Sequence, residues 1–397
     1  MENDRGNRAR PRASPETRAR VLGEVIHGHM TRKAAAEALS MSGRQLRRIL
    51  DAFKTDDVVG LRHKSIGKPG HHKIPEGVKR EALETAKERY PDAGPAFLSD
   101  LLKEGHGIEA SRETLRRWLD EDGARKIQES KPRRRRRRER KASSGIMVQM
   151  DTSIHDWFRT GIKACLIALV DDATSTVYAR FYETDSTMTN MDAIRRYITA
   201  YGIPASLYTD RASHFKVNAG EKPEDVLDAQ DRRVTQIERA SRECGISIIH
   251  AKSPQGKGRV ERLFSVLQDR LEKRLHYAGI KDVKSANDFL DGDCLQKYNQ
   301  KYRVNPVADF DSHRPVGQLD LEAIFSVQVL RVCANDFTVS LNGRKYQIAR
   351  ENDLHGLPRK NILMEKRLDG SVRARHAGRY LIIHETDRKS GRTGQGR

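Results

Sequence analysis

Cysteine is scarce in this chain: four in 397 residues, Cys165, Cys244, Cys294 and Cys333, far apart and with no CxxC pair among them. That excludes a cysteine-built zinc finger and a disulfide framework, and suits a reducing compartment. Long apolar runs are absent too. The longest, Ala164 to Val170, is far short of the roughly 20 residues a helix needs to cross a bilayer, and the Arg-rich start lacks the apolar stretch of a signal peptide. A soluble protein with no membrane partner is expected. Acidic residues are the third shortage, with 55 Asp and Glu against 75 Lys and Arg, a formal net charge of +20. An imbalance of that size favours a polyanionic partner, nucleic acid first among them.

The excess charge is uneven. About +13 of it lies before Asp151, whereas the stretch from Asp151 to Leu290 is close to neutral. A chain of this length should form several domains. Charge, glycine content and apolar periodicity divide it into a tail at 1–14 expected to be disordered, a helix-turn-helix domain at 15–58, a basic linker at 59–74, a second helix-turn-helix domain at 75–122 and an Arg-rich linker at 123–144. An α/β core at 145–280, a helical connector at 281–320, a small β-barrel at 321–386 and a disordered tail at 387–397 complete the layout.

In the first helical domain Val21, Leu22, Val25 and Ile26 recur at helical spacing, Thr31 is placed to cap a short Ala-rich helix, and Ser40-Met41-Ser42 leads into Gly43 to Phe53. Leu46, Ile49, Leu50 and Phe53 make the inward stripe of that last helix. Arg44, Arg47 and Arg48 are left outside with Gln45 beside them, side chains that suit base edges and phosphates, although an ordinary solvated face has the same pattern. Lys64 and Lys68 stand in the Gly-rich linker, where an extended chain can follow DNA. The second domain repeats the arrangement, with Leu115, Trp118 and Leu119 inward and Arg112, Arg116 and Arg117 opposite. After it comes an arginine run opening with Arg133, Arg134 and Arg135, which repels itself unless it tracks an anion.

The neutral middle reads differently. Ile146 to Asp151 alternates like a strand with Asp151 at its far end, Ala164 to Val170 reads as a buried strand, and Val177 to Tyr182 follows after a turn at Asp171 and Asp172. Asn190 to Tyr201 is an amphipathic helix stopped at Gly202, and Ile203 to Asp210 is a short strand ending on an acid. Cys244 to His250 is another strand. Ser253-Pro254 then opens a helix from Gln255 to Tyr277 with Val260, Leu263, Phe264 and Leu267 inward and Glu261 at the border of that stripe. Strand ends are where open sheets present catalytic groups. Taken singly, Asp151, Asp210 and Glu261 pass for turn and surface residues; taken together they form a ligand set.

Met150-Asp151-Thr152, Tyr208-Thr209-Asp210 and Ser253-Pro254-Gln255-Gly256-Lys257-Gly258-Arg259-Val260-Glu261-Arg262 resemble the three motifs of the retroviral-integrase-type DDE transposases. Over nearly the whole chain the layout is similar to bacterial insertion-sequence transposases of the ISNCY group. The resemblance implies a ribonuclease-H-like core in which Asp151, Asp210 and Glu261 are both the catalytic and the metal-binding residues. It also implies two Mg²⁺ or Mn²⁺ ions per active site, water attack that frees a 3′-hydroxyl at the element end, and strand transfer of that hydroxyl into target DNA. Oxygen ligands suit such hard cations. Double-stranded DNA, at the terminal inverted repeats and at the target, and further copies of the chain, at least a dimer, are the implied partners. Lys257 and Arg259 are expected on DNA, and the location is expected to be cytoplasmic, on a bacterial nucleoid. The rival expectations are a DNA-binding regulator or domesticated relative that no longer cuts, and a structure-selective nuclease.

Two departures stand out. About 50 residues separate Asp210 from Glu261, where the integrase pattern has nearer 35; the acidic stretch Val217 to Asp231 is read as an added surface loop or short helix. The His and Cys zinc module of retroviral integrases is missing. Towards the C-terminus, Asn342-Gly343 and Asp369-Gly370 each separate two strand-like runs, Phe337 to Leu341 from Lys345 to Ile348 and Ile362 to Arg367 from Val372 to Arg375, which predicts the barrel.

Overall fold

A computed structural model describes residues 15–60, 74–123, 139–209, 226–229, 232–251, 258–352 and 355–386, in two compact units, Met1–Glu81 and Ala82–Arg397. In the first unit α1 (Pro15–Ile26), α2 (Arg32–Ala38) and α3 (Gly43–Gly60) close on Leu22, Ala35, Leu46 and Leu50. The Thr31 hydroxyl caps α2 by accepting from the Ala34 N–H. Among the described residues no helix is long and apolar enough to cross a membrane.

After α4 (Glu76–Arg89), helices α5 (Pro95–His106) and α6 (Arg112–Glu121) pack through Phe97, Leu98, Leu102, Leu115 and Trp118. The core follows, with β1 (Val148–His155), β2 (Ala164–Asp171), β3 (Val177–Tyr182), α7 (Thr187–Tyr201), β4 (Ser206–Thr209), β5 (Val226–Ala229), β6 (Arg232–Thr235), α8 (Gln236–Glu243), β7 (Ser247–His250) and α9 (Gly258–Tyr277). Its five-stranded sheet runs β3-β2-β1-β4-β7, antiparallel through the β1–β2–β3 meander and parallel from β1 to β4 to β7. That order is the ribonuclease-H-like sheet. Both faces are covered, which is why β2 is apolar throughout. Ile194, Ile198, Ile237 and Ala240 of α7 and α8 pack with Val148 and Met150 on one face, and Val260, Phe264, Leu267 and Leu271 of α9 pack with Leu166, Ala168 and Ala179 on the other.

Two expectations are corrected here. β1 does not stop at Asp151 but pairs with β2 as far as His155, because the β-branched Thr152 and Ile154 extend the strand beyond the acid. The stretch read as a loop or short helix contains β5, which pairs with β6 as a two-stranded ribbon. Its acidic residues misled, since acidic composition does not exclude a strand of a two-stranded ribbon.

The connector α10 (Val283–Phe289), a π-helical turn (Leu290–Cys294) and α11 (Leu295–Tyr302) run along β3, the edge of the sheet. Asn287 bonds both the N–H and the carbonyl of Phe181, and Asn299 does the same for Val177. Two carboxamides thereby satisfy backbone groups that an exposed edge would offer to another strand. Past α12 (Leu321–Ile324), β8 (Val327–Val332), β11 (Asn361–Lys366), β12 (Val372–His376) and β13 (Arg379–Leu381) form one small sheet, and β9 (Thr338–Leu341), β10 (Arg344–Ile348) and β14 (Ile383–Thr386) a second. They share a core of Val339, Ile348, Ile362 and Met364. Asn342 and Gly343 join β9 to β10 with φ of 49° and 75°, the doubly left-handed turn their sequence favours.

Candidate active site

β1 is the middle strand, and its alternation assigns its residues to two layers. Val148 and Met150 join the core under α7; Asp151 and Ser153 take the opposite face, towards α9, with Asp151 half-buried. Two contacts register α9 along this strand. His155 Nε2 and Glu272 Oε2 lie 2.9 Å apart, and two strand residues back the Gln268 amide donates to Ser153 Oγ at 3.0 Å. Two strand residues, about 6.6 Å, thus match four helix residues, about 6.0 Å. One further step sets Asp151 level with the Phe264 turn of α9, and Glu261 belongs to the first turn of that helix.

The neighbouring strand is aligned by Val148↔Leu207 and Gln149↔Tyr208, and β7 by Thr209↔His250. β4 ends at the buried Thr209. Asp210, the next residue, lies outside the described residues, as do Lys64, Lys68, Arg133, Arg134, Arg135 and Lys257. Arg259 and Glu261 are described as backbone within α9 only. Among the described residues no group of three or more His, Cys, Asp or Glu side chains is arranged to hold a metal ion.

Other acids near β1 are committed to the fold. Asp171 accepts from the Gly145 and Thr174 N–H groups and the Thr174 hydroxyl, all at 2.8 Å. Asp172 accepts from the Lys141 N–H at 2.9 Å and the Gln149 amide at 2.6 Å. Both carboxylates are buried and saturated by protein donors, as structural acids must be. The cysteines are not available for chemistry either. Burial pushes the Cys165 thiol up to about 12 and the Cys244 thiol up to about 11, so neither supplies a thiolate near neutrality.

The two basic helix faces differ in detail. Arg44, Gln45, Arg47 and Arg48 are all exposed on α3, but the Gln45 Oε1 already accepts from the Ser42 N–H at 3.1 Å and its hydroxyl at 3.3 Å, capping the helix. On α6 Arg112 and Arg117 are exposed, while Arg116 is held by Glu113 at 2.6 Å and Asp120 at 3.0 Å. Sequence reading passed over Ser153, His155, Gln268 and Glu272. Their signal was present: Ser153 shares the period-two face of Asp151, and Gln268 is two helical turns on from Glu261.

No family model matches the chain. It is 33% identical to y4bF of Sinorhizobium fredii, a protein named as a transposase, over 94% of this chain and 80% of that one. It is 27% identical to the transposase for insertion sequence IS1202 of Streptococcus pneumoniae, over 71% of this chain and 67% of the other. Among solved structures, the magnesium-bound HTLV-2 integrase catalytic core is 17% identical, with a TM-score of 0.28 over 37% of this chain and 83% of that chain. The BIV integrase catalytic core gives 20% identity and a TM-score of 0.26, over 36% and 79%.

Proposed function

The chain belongs to the insertion-sequence transposases, and on that premise we propose that it binds the terminal inverted repeats of its element and catalyses metal-dependent 3′-end cleavage and strand transfer through Asp151, Asp210 and Glu261. The observation that carries this reading is the registry of α9 along β1. Continued past Gln268 at the same rise, it supports a first turn of α9 that faces the side of the strand bearing Asp151. Asp210 follows directly in sequence on Thr209, the last residue of the adjacent parallel strand.

Three carboxylates with neither thiolate nor imidazole are the oxygen donors that Mg²⁺ or Mn²⁺ takes, two ions per site, and the bound cations would supply charge stabilisation for phosphodiester attack. The chain's own part is placement. Asp151 is fixed by a strand paired on both sides, and Glu261 by a helix whose apolar stripe is buried from Val260 to Leu275. α1–α3 act as a helix-turn-helix reader of the element end, and the two C-terminal sheets act as a small barrel against DNA or a second subunit. Assembly on DNA takes at least two copies.

The test is a strand-transfer assay on oligonucleotides carrying the element's own end. Asp151→Asn, Asp210→Asn and Glu261→Gln should each lower cleavage by at least about 1,000-fold while leaving end binding intact. Wild-type activity in any of the three would sink the assignment. Cleavage without joining would favour a nuclease instead.

A further inference from the structure

α5 and α6 are held on α9 by a matched set of charges. Asp100 and Glu104 stand one turn apart on α5, and Arg270 and Arg274 one turn apart on α9. Arg270 Nη1 donates to Asp100 Oδ2 at 2.9 Å, and Arg274 engages both oxygens of Glu104 at 2.9 and 3.1 Å. Both guanidiniums lie over the ring of the buried Phe97, 5.7 and 5.4 Å from its centroid. Lys301 of α11 bonds Asp100 as well. In the turn before α5, Asp92 takes the Tyr277 hydroxyl and the Arg159 guanidinium, and Tyr90 stacks edge-on against Tyr277.

Charge pairing of this kind selects a register. Sliding α5 by one turn would set Asp100 against Arg274 and leave Arg270 without an acid of α5 and Glu104 without an arginine of α9, a loss that apolar packing alone would not impose. The register matters because of what the two helices carry. Glu261 lies nine residues before Arg270 on α9, about 13 Å along the axis. Arg112 and Arg117 on α6 remain exposed while the dock is made.

We infer that the Asp100–Arg270 and Glu104–Arg274 pairs are positioning contacts that set the distance between DNA held on α6 and the catalytic end of α9, and so select which phosphodiester is cut. This rests on the function proposed above and adds a ruler to it. One turn of slip is about 5.4 Å, between one and two base-pair steps of about 3.4 Å. A slipped dock therefore moves the cut without abolishing it.

The experiment maps cleavage of a labelled element end at nucleotide resolution, using the full chain with Mg²⁺. The wild type should cut at one position. Glu104→Arg and Arg274→Glu should each spread the cuts to neighbouring positions, lowering the share at the wild-type position at least fivefold, with end affinity changed less than threefold. The swap E104R/R274E should restore that share to within twofold of wild type, a rescue that a general loss of structure would not permit. Glu104→Gln, which leaves the helix intact without the charge, should give the same spread to a smaller degree if the reversals do not fold. Cuts confined to the wild-type position in all the unswapped variants, or a swap no better than its parents, would overturn the inference. A wild-type chain that cuts nothing overturns the functional reading, and the ruler with it.

Discussion

The α1–α3 and α4–α6 segments carry the same sequence pattern, three small helices ending in one with three arginines, yet their charges are put to different use. α3 has Asp51 three residues after Arg48 and four after Arg47, as α6 has Glu113 three before and Asp120 four after Arg116, but among the described residues only the α6 acids engage an arginine of their helix. Arg116 is consequently bound at both ends by carboxylates of its own helix, and Asp100 and Glu104 on α5 face the arginines of α9. Arginine count is therefore a poor guide to a DNA-reading face. An acid three or four residues away neutralises a guanidinium only where the pair is formed, as at Arg116 and not at Arg47 or Arg48. The first module presents all three of its arginines; the second presents two and holds one.

The strongest way to break that contrast is to strip each face. Replacing Arg44, Arg47 and Arg48 together with alanine should weaken end binding on the order of 1,000-fold and flatten the salt dependence by about three phosphate contacts, at roughly 1.4 kcal/mol apiece. The same treatment of Arg112, Arg116 and Arg117 should cost about 100-fold and about two contacts, because Arg116 already has partners. Fluorescence anisotropy on an end oligonucleotide across a salt series measures both. Equal losses would erase the distinction.

How much of this the sequence disclosed follows from the range of the interactions. Local features were legible: the Leu46–Leu50 stripe, the Asn342-Gly343 turn, and the order of the core's strands and helices apart from β5, β6 and α8, which went unread. The Arg116 pairs were legible too and went unread, since Glu113 and Asp120 sit at the helical spacings that pair. Asp151 was placed at a strand end although Thr152 and Ile154 continue the alternation, so the acid was given more weight than the residues after it. The dock could not be read, because Asp100 and Arg270 are 170 positions apart and neither marks its partner. Of the candidate site, the elements were visible in the sequence; the registry that brings α9 onto the face of Asp151 came only with the fold.

Acid should separate the two modules more gently. Burial by itself would raise the Asp92 carboxyl, but the hydrogen bonds from Tyr277 and Arg159 and the Arg159 charge outweigh it, and the group is held below its ordinary 3.8. A carboxyl lowered in the folded state contributes stability that is complete above the unfolded value and is lost as pH falls through the folded one. Asp92→Asn should therefore loosen α5 and α6 at neutral pH, and the gap between variant and wild type should close as pH drops below about 3.8. Hydrogen exchange of α5 amides reads the effect. A gap that stays constant with pH would mean that Asp92 acts by shape and not by charge.

The smallest effect is the most specific. Ser42 and Ser111 both cap their helices, and either serine replaced by alanine should cost about 1 kcal/mol of local stability in denaturant unfolding. Only the first should alter DNA binding. Gln45 closes the Ser42 cap with its Oε1, the Ser42 Oγ in turn accepting from the Gln45 N–H at 3.3 Å. A glutamine so bound has its carbonyl engaged and offers DNA only the Nε2 donors, which suit guanine acceptors or phosphate; pairing with adenine needs both ends of the amide. Ser42→Ala removes the hydroxyl donor at 3.3 Å and keeps the backbone N–H donor at 3.1 Å, so that carbonyl is held by one bond instead of two and is freer to turn towards a base. End affinity should then fall by no more than about threefold, while tolerance for adenine at the contacted position rises, a shift that competition binding with single-base variants of the end resolves. Ser111→Ala, at a cap closed by Thr114 rather than by a DNA-facing residue, should leave base preference unchanged, and an equal shift in both variants would show that α6 reads bases after all.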